Sequence, residues 1–125
     1  MERKVIVPPG TDTTKMLISP GVRVGDLLYL SGNAGVKDGK LVGADVESQA
    51  RQPMVNLGEV LKAAGLGWDR VAKVNCYLVH PERDFAGWNV VWKEFFPKNP
   101  PARTTVGAGI ALAGALIEVE LVAAF

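Results

Sequence analysis

This sequence has few cysteine and histidine residues and almost no net charge, and each of these features excludes a class of function. The 125 residues contain one cysteine and one histidine, which excludes an internal disulfide and leaves too few ligands for a zinc site within one chain. The formal net charge is +1, too small to attract nucleic acid or an anionic membrane. The segment MERKVIVPPG lacks the apolar stretch of a secretory signal, and no apolar run approaches the ~20 residues that span a bilayer. We therefore expect a cytoplasmic protein without a metal site, a membrane partner or a nucleic-acid partner.

The rest of the composition is that of an ordinary globular chain, with 48% hydrophobic and 22% charged residues. A chain of this length can bury a sufficient core, so we expect a single domain over residues 1–125. VIVPPG predicts a short edge strand that is stopped by its two prolines. MLISPGVRVGDLLYLSGNAG predicts two strands, the first ending near Pro20 and Gly21, and KDGK predicts a hairpin turn.

The clearest helix is predicted over residues 45–64, where apolar side chains recur at steps of three and four. Asp45 is the expected N-cap, with Ser48 behind it, and Gly65 is the expected residue just past the end. Pro53 lies inside this pattern. Because an interior proline removes a backbone hydrogen bond, it predicts a kink or a late helix start.

A strand is predicted over residues 71–80, with Cys76 as a small core residue rather than a nucleophile. Pro81 then predicts the start of a second helix, ERDFAGWNVVWKEFF, and the chain closes with two further strands. The order β-β-α-β-α-β-β indicates an α+β fold in which a mixed sheet carries its helices on one face.

The candidate chemistry lies near the end of the chain, in PPARTTVGAG and IEVEL. We expect strands over residues 103–108 and 116–122, paired as a hairpin. Alternation in the second strand puts Glu118 and Glu120 on one face, so the hairpin would bring Arg103 nearly opposite one of them. From the pattern alone, the commoner outcome is a solvated cross-strand ion pair worth ~0–1 kcal/mol. The functional alternative is a cleft in which Arg103 binds a carboxylate while a glutamate handles a proton or positions a water.

Four segments carry a resemblance to a known family: GDLLYLSGNAG, DVESQARQPMVNLGEVLKAAGLGWDRVAKVNCYLV, DFAGWNVVWKEFF and PPARTTV…IEVELVA. The most specific element is the P-A-R-[ST]-x-V box, with the first glutamate of I-E-V-E fifteen residues downstream of its arginine. From about Leu17 to Ala124 the sequence resembles the reactive-intermediate deaminase family (Rid, formerly YjgF, also labelled endoribonuclease L-PSP).

The resemblance implies a chorismate-mutase-like α+β fold, assembled as a homotrimer with ligand clefts at the subunit interfaces. It implies hydrolysis of enamine and imine intermediates, such as 2-aminoacrylate and its 2-imino acid tautomer, to the 2-keto acid and ammonia, with no cofactor. Arg103 matches the family's carboxylate-binding arginine, and Glu118 matches the acid linked to the attacking water. Gly32 and Asn89 match cleft positions, and Thr105 lies where many members carry cysteine and use mainly the backbone groups.

Two departures from the family pattern concern the cleft. Ile18 lies where a common tyrosine packs near the substrate, and the turn GAGIALAGAL is more apolar than usual. They favour a more hydrophobic cleft mouth and a bulkier substrate. They also leave open a different class of function, a non-catalytic module that binds small carboxylates or acts like a chaperone.

Two further questions stay open at the level of sequence. Whether Glu118 or Glu120 faces the cleft is undecided, because a one-residue slip of register exchanges the two faces of a strand. The endoribonuclease label finds little support, since the sequence has neither a basic groove nor interleaved aromatic residues.

Overall fold

The computed structural model describes residues 2–125, in which six strands form one sheet and two helices cover one of its faces. In chain order the elements are β1 (Arg3–Ile6), β2 (Gly21–Val24), β3 (Leu27–Ala34), β4 (Val36–Lys37), β5 (Lys40–Leu41), α1 (Val46–Ala63), β6 (Val71–Leu78), α2 (Pro81–Phe95), β7 (Ala102–Gly107) and β8 (Ile117–Ala124). Short turns of 3-10 helix cover Thr13–Lys15 and Trp68–Arg70. Within this described part of the chain, no helix is long and apolar enough to cross a membrane.

The strand order of the sheet is β1-β2-β3-β8-β6-β7, so the last strand of the chain lies inside the sheet. β8 pairs antiparallel with both β3 and β6, whereas β6 and β7 are parallel. Parallel neighbours need a crossover connection, and α2 supplies it. The predicted mixed sheet with two helices on one face is confirmed.

The period of two along each strand decides which face of the sheet is buried. Ile117, Val119 and Leu121 of β8 point into the core, and the residues between them lie half-buried on the opposite face. Both helices pack against the core face, α2 through the fully buried Trp88. Cys76 is fully buried in the same core, as predicted. Neither helix of the described residues 2–125 covers the opposite face of the sheet.

Helix α1 begins where its cap predicts. The side chain of Asp45 accepts a hydrogen bond from the Ser48 amide at 2.8 Å, and Gly65 has φ +77°, the left-handed conformation expected just past a helix end. The predicted late helix start at Pro53 is wrong, because the helix runs from Val46 through Pro53 to Ala63. Buried side chains before the proline anchor the first turns, which offsets the hydrogen bond that the proline removes.

The region before β2 differs from the prediction, whereas the KDGK turn agrees with it. No strand ends near Pro20 in the described chain; instead β2 begins at Gly21. Leu17 and Ile18, the apolar pair that suggested a strand, are 99% and 66% exposed, so they have no sheet face to bury against. The KDGK turn joins β4 to β5 as predicted, with positive φ at its two central residues.

Candidate functional site

Arg103 lies on the edge strand β7 and projects towards helix α2. Its Nη1 donates a hydrogen bond to Oδ1 of Asn89 at 2.8 Å. Its Cζ lies 4.8 Å from the ring centroid of Trp92 and 5.4 Å from that of Phe85, both within range of cation–π attraction. Among residues 2–125 no carboxylate forms a salt bridge with this guanidinium. The positive charge is therefore held in place by a neutral amide and aromatic rings, without an acidic partner.

The predicted hairpin between the last two strands is wrong. Strand β6 lies between β7 and β8, and the Cα partner of Arg103 is Val74 rather than a glutamate. Glu118 and Glu120 do share one face, as predicted, but it is the face opposite the helices. Since Arg103 points to the helix side, it and Glu118 are not brought together within one chain.

Gly32 and Glu118 meet on the face of the sheet that carries no helix. The pairing of β3 with β8 shifts register between Leu30 and Asn33, and Gly32 lies in this irregular stretch. A Cβ atom added at Gly32 would lie 2.9 Å from Oε2 of Glu118, closer than side chains tolerate. Glycine at this position therefore makes room for the carboxylate of Glu118.

Ile18 lies on the same side of the molecule as Gly32. The two residues share the lining of an open groove of about 260 Å³ with Ser31, whose hydroxyl donates to the Ser19 carbonyl at 2.6 Å. A second hydrogen bond, from the Ser31 amide to the Pro20 carbonyl at 3.0 Å, ties the exposed segment to β3. The cleft residues predicted from the sequence thus form two groups, one around Arg103 and Asn89 and the other around Glu118, Gly32 and Ile18.

The two glutamates of β8 differ in their hydrogen-bond partners. The Tyr77 hydroxyl donates to the carboxylate of Glu120, and this bond raises the pKa of Tyr77 above its ordinary value. Within the described chain, Glu118 has no such side-chain partner. Of the two, Glu118 is the carboxylate without a side-chain hydrogen bond in the described chain.

Thr105 lies two residues after Arg103 on β7, opposite Cys76 of β6. Its Oγ1 and the indole Nε1 of Trp88 are both buried without a hydrogen-bond partner among the described residues. Burial raises the pKa of the Cys76 thiol, which disfavours the reactive thiolate. The Thr105 hydroxyl therefore faces the interior of the chain, as the Cys76 thiol and the Trp88 indole do.

Comparison with known proteins identifies the family. The family model described as Endoribonuclease L-PSP matches residues 14–125. The chain belongs to this family, the Rid/YjgF family. Protein mmf2, mitochondrial, of Schizosaccharomyces pombe is 43% identical over 106 residues, which cover 82% of this chain and 83% of that protein. A human protein named 2-iminobutanoate/2-iminopropanoate deaminase is 36% identical over 84% of this chain and 77% of its own length.

The fold of this Rid-family chain matches solved structures. The crystal structure of YyfA from Yersinia pestis, described as a protein of unknown function in the conserved Rid family, has a TM-score of 0.90. It is 28% identical, and the match covers 99% of this chain and 100% of that one. The predicted membership and the predicted fold class are both confirmed.

Sequence reasoning missed one neighbour of the Rid-family arginine. Trp92 is half-buried, with its ring beside the guanidinium. Asn89 and Trp92 are three residues apart on α2, so they lie on one helix face. The three-residue spacing of Asn89 and Trp92, followed by an arginine on the next strand, is the sequence signal that could have indicated the contact between Trp92 and Arg103.

Proposed function

We propose that this chain is an imine and enamine deaminase, which hydrolyses 2-aminoacrylate-type 2-imino acids to 2-keto acids and ammonia. The observation that carries the proposal is the Arg103 guanidinium, oriented by Asn89 and lacking an acidic partner in the described chain. A guanidinium presents five N–H donors in a fixed plane, so the donors not used by Asn89 can bind a carboxylate at two points. Fixing the carboxylate also fixes the neighbouring imino carbon, which supplies the orientation that hydrolysis needs.

Glu118 is the residue that we propose for positioning the attacking water. Water adds to the imino carbon, the nitrogen takes up protons and leaves as ammonia, and the carbon becomes the carbonyl of the keto acid. A carboxylate beside the water orients it and accepts its proton. Glu118 suits this role because its neighbour Gly32 leaves space at Oε2 and because Tyr77 engages Glu120 instead. The imino carbon is already electrophilic, so the proposed reaction needs no cofactor.

The complete site is proposed to lie between subunits of a homotrimer. Arg103 and Glu118 project from opposite faces of the same sheet, so one chain does not bring them to a common ligand. In a closed cyclic assembly, one surface of each subunit meets a different surface of the next. Such a contact can place Arg103, Asn89 and Thr105 of one subunit beside Glu118, Gly32 and Ile18 of its neighbour.

The second candidate is a module that binds small carboxylates without converting them. Ile18 favours it, because an aliphatic side chain offers no hydroxyl at the position where the family commonly has a tyrosine. In this case Arg103 would still hold the carboxylate, and Glu118 would have no role in a reaction. A cytoplasmic location remains a prediction under either function.

A coupled assay distinguishes the two candidates. An amino-acid oxidase generates 2-imino acids in place, and their disappearance is followed with wild type, Arg103→Ala and Lys98→Ala. The Lys98 variant is a matched control, because it removes an exposed positive charge from the segment just before β7. We expect acceleration by wild type and Lys98→Ala and none by Arg103→Ala of the same assembly state. Retained activity in a correctly assembled Arg103→Ala protein would remove the mechanism, and carboxylate binding without acceleration would favour the binding module.

A further inference from the structure

A groove beside Arg103 is lined mostly by residues to which the proposed mechanism assigns no role. It has a volume of about 450 Å³ and runs from Arg103 and Asn89 along the end of α2. Lys93 also lines the groove, and the other lining side chains are aromatic or proline: Trp92, Phe96, Pro97 and Pro100. Unlike the proposed interfacial cleft, this groove is formed entirely by one chain.

The position of the guanidinium relates the groove to a bound carboxylate. Nη1 of Arg103 is occupied by Asn89, and Trp92 lies beside the guanidinium plane, which leaves the remaining N–H donors for a ligand. Trp92 is both a neighbour of the guanidinium and a wall of the groove. A carboxylate paired with Arg103 therefore has an apolar surface within reach of the group attached to it.

The walls of the groove are suited to a flat apolar group. The Trp92 ring packs against those of Trp88 and Phe96, with ring centroids 5.8 and 4.5 Å away, and these contacts with two buried residues fix its position. Proline side chains are rigid and add little entropy cost when a ligand packs against them. Aromatic groups gain both burial and ring–ring contact in such surroundings.

We propose that this groove holds the side chain of the ligand, so that the protein prefers carboxylates bearing an aryl or other bulky apolar group over three- and four-carbon ones. As a statement about substrates, this inference rests on the proposed deaminase function. As a statement about binding, it rests only on Arg103, Trp92 and the proline walls.

Calorimetric titration of the full chain with two stable carboxylates, 3-phenylpropanoate and propanoate, tests the inference without turnover. We expect the phenyl compound to bind at least about tenfold more tightly, the range in which an apolar pocket discriminates. Trp92→Leu should abolish this ratio. Pro100→Ser changes an exposed loop residue and should reduce the ratio. It provides the test if Trp92→Leu does not fold. Val90→Ala, on the half-exposed side of α2, is the matched control and should leave the ratio unchanged.

Together, the binding titration and the hydrolysis assay distinguish a failure of this inference from a failure of the proposed function. Equal affinity for the two carboxylates, or a preference that persists in both groove variants, overturns the inference. Hydrolysis of small imino acids with no aryl preference overturns it too, while the deaminase proposal stands. A Trp92-dependent preference without any hydrolysis supports the groove and refutes the deaminase.

Discussion

Gln49 is a buried polar side chain that hydrogen-bonds the backbone just before β8, the strand that carries Glu118. Its removal tests whether these bonds hold the start of that strand. It is 2% exposed, and its amide joins two loops to helix α1, one at Gly43 and one at residues 114–116. Nε2 donates to the carbonyls of Gly43 and Gly114, each at 3.2 Å, and Oε1 accepts from the Leu116 amide at 2.8 Å. Leu116 comes immediately before β8, so this amide fixes the point at which the strand begins.

Gln49→Met keeps the length of the side chain and removes all three bonds. Leaving the Leu116 amide unsatisfied costs about 1–3 kcal/mol, while the two glycine carbonyls, which belong to exposed residues, can recover water at about 0.5 kcal/mol each. The expected loss is about 2–4 kcal/mol, which for a chain of this length lowers the melting temperature by about 8–16 °C.

Thermal unfolding followed by circular dichroism, at one fixed protein concentration, measures this loss. Gln52→Met is the matched control, because Gln52 lies on the same helix and makes a single side-chain bond, to Asn56 at 2.9 Å. We expect the control to shift the melting temperature by less than about 4 °C. If the two variants lose the same amount, the three bonds of Gln49 do not hold the start of β8 and the reasoning is refuted.

Two further predictions concern the residues around Glu118. Gly32→Ala places a Cβ 2.9 Å from the Glu118 carboxylate, so we expect the deamination rate to fall about tenfold to a hundredfold with little change in melting temperature. Gly109→Ala, whose Cβ would meet open space, should retain the rate, and an equal loss in both variants would contradict the role of Glu118. In an ultraviolet pH titration, Tyr77 should ionise above the ordinary value of about 10, and Glu120→Gln should lower that pKa. Because the pKa of Tyr77 is raised in the folded state, its bond to Glu120 stabilises the fold at pH values below the unfolded pKa. This stability is lost as pH rises through the folded pKa. An unchanged Tyr77 titration in Glu120→Gln would refute the assignment of the raised pKa to this bond.

Local features of the fold were predictable because their causes lie within a few residues. Asp45 and Gly65 bound helix α1 as capping rules predict, and the Asp38–Gly39 pair supplies the two positive φ angles of the hairpin turn. The spacing of apolar residues was enough to identify both helices and the face of β8 that is buried.

The pairing of the last two strands was not predictable in the same way. Strands adjacent in sequence often pair, and the Gly- and Ala-rich segment between β7 and β8 looks like a hairpin turn. In the structure β8 instead inserts between β3 and β6, where its alternating apolar residues join the core beneath helix α1. This choice depends on the whole core rather than on the turn.

The candidate site was predictable as a set of residues but not as an arrangement. The resemblance singled out Arg103, Asn89 and Glu118, and the structure joins the first two by a hydrogen bond. Because the strand order places Glu118 on the other face, the division of the site into two groups emerges only from the topology. Trp92 escaped notice because an aromatic residue at helical spacing is most often a core residue.

Subunit mixing tests the central claim most directly, namely that Arg103 of one chain and Glu118 of another form one hydrolytic site. Arg103→Ala and Glu118→Gln are prepared separately, each expected to be inactive, then mixed in equal amounts and allowed to exchange subunits. In a cyclic assembly half of the arginines and half of the glutamates are native, so about a quarter of the sites combine both and about a quarter of the wild-type rate should return. A mixture of fully exchanged subunits that is no more active than its two parents would contradict the account.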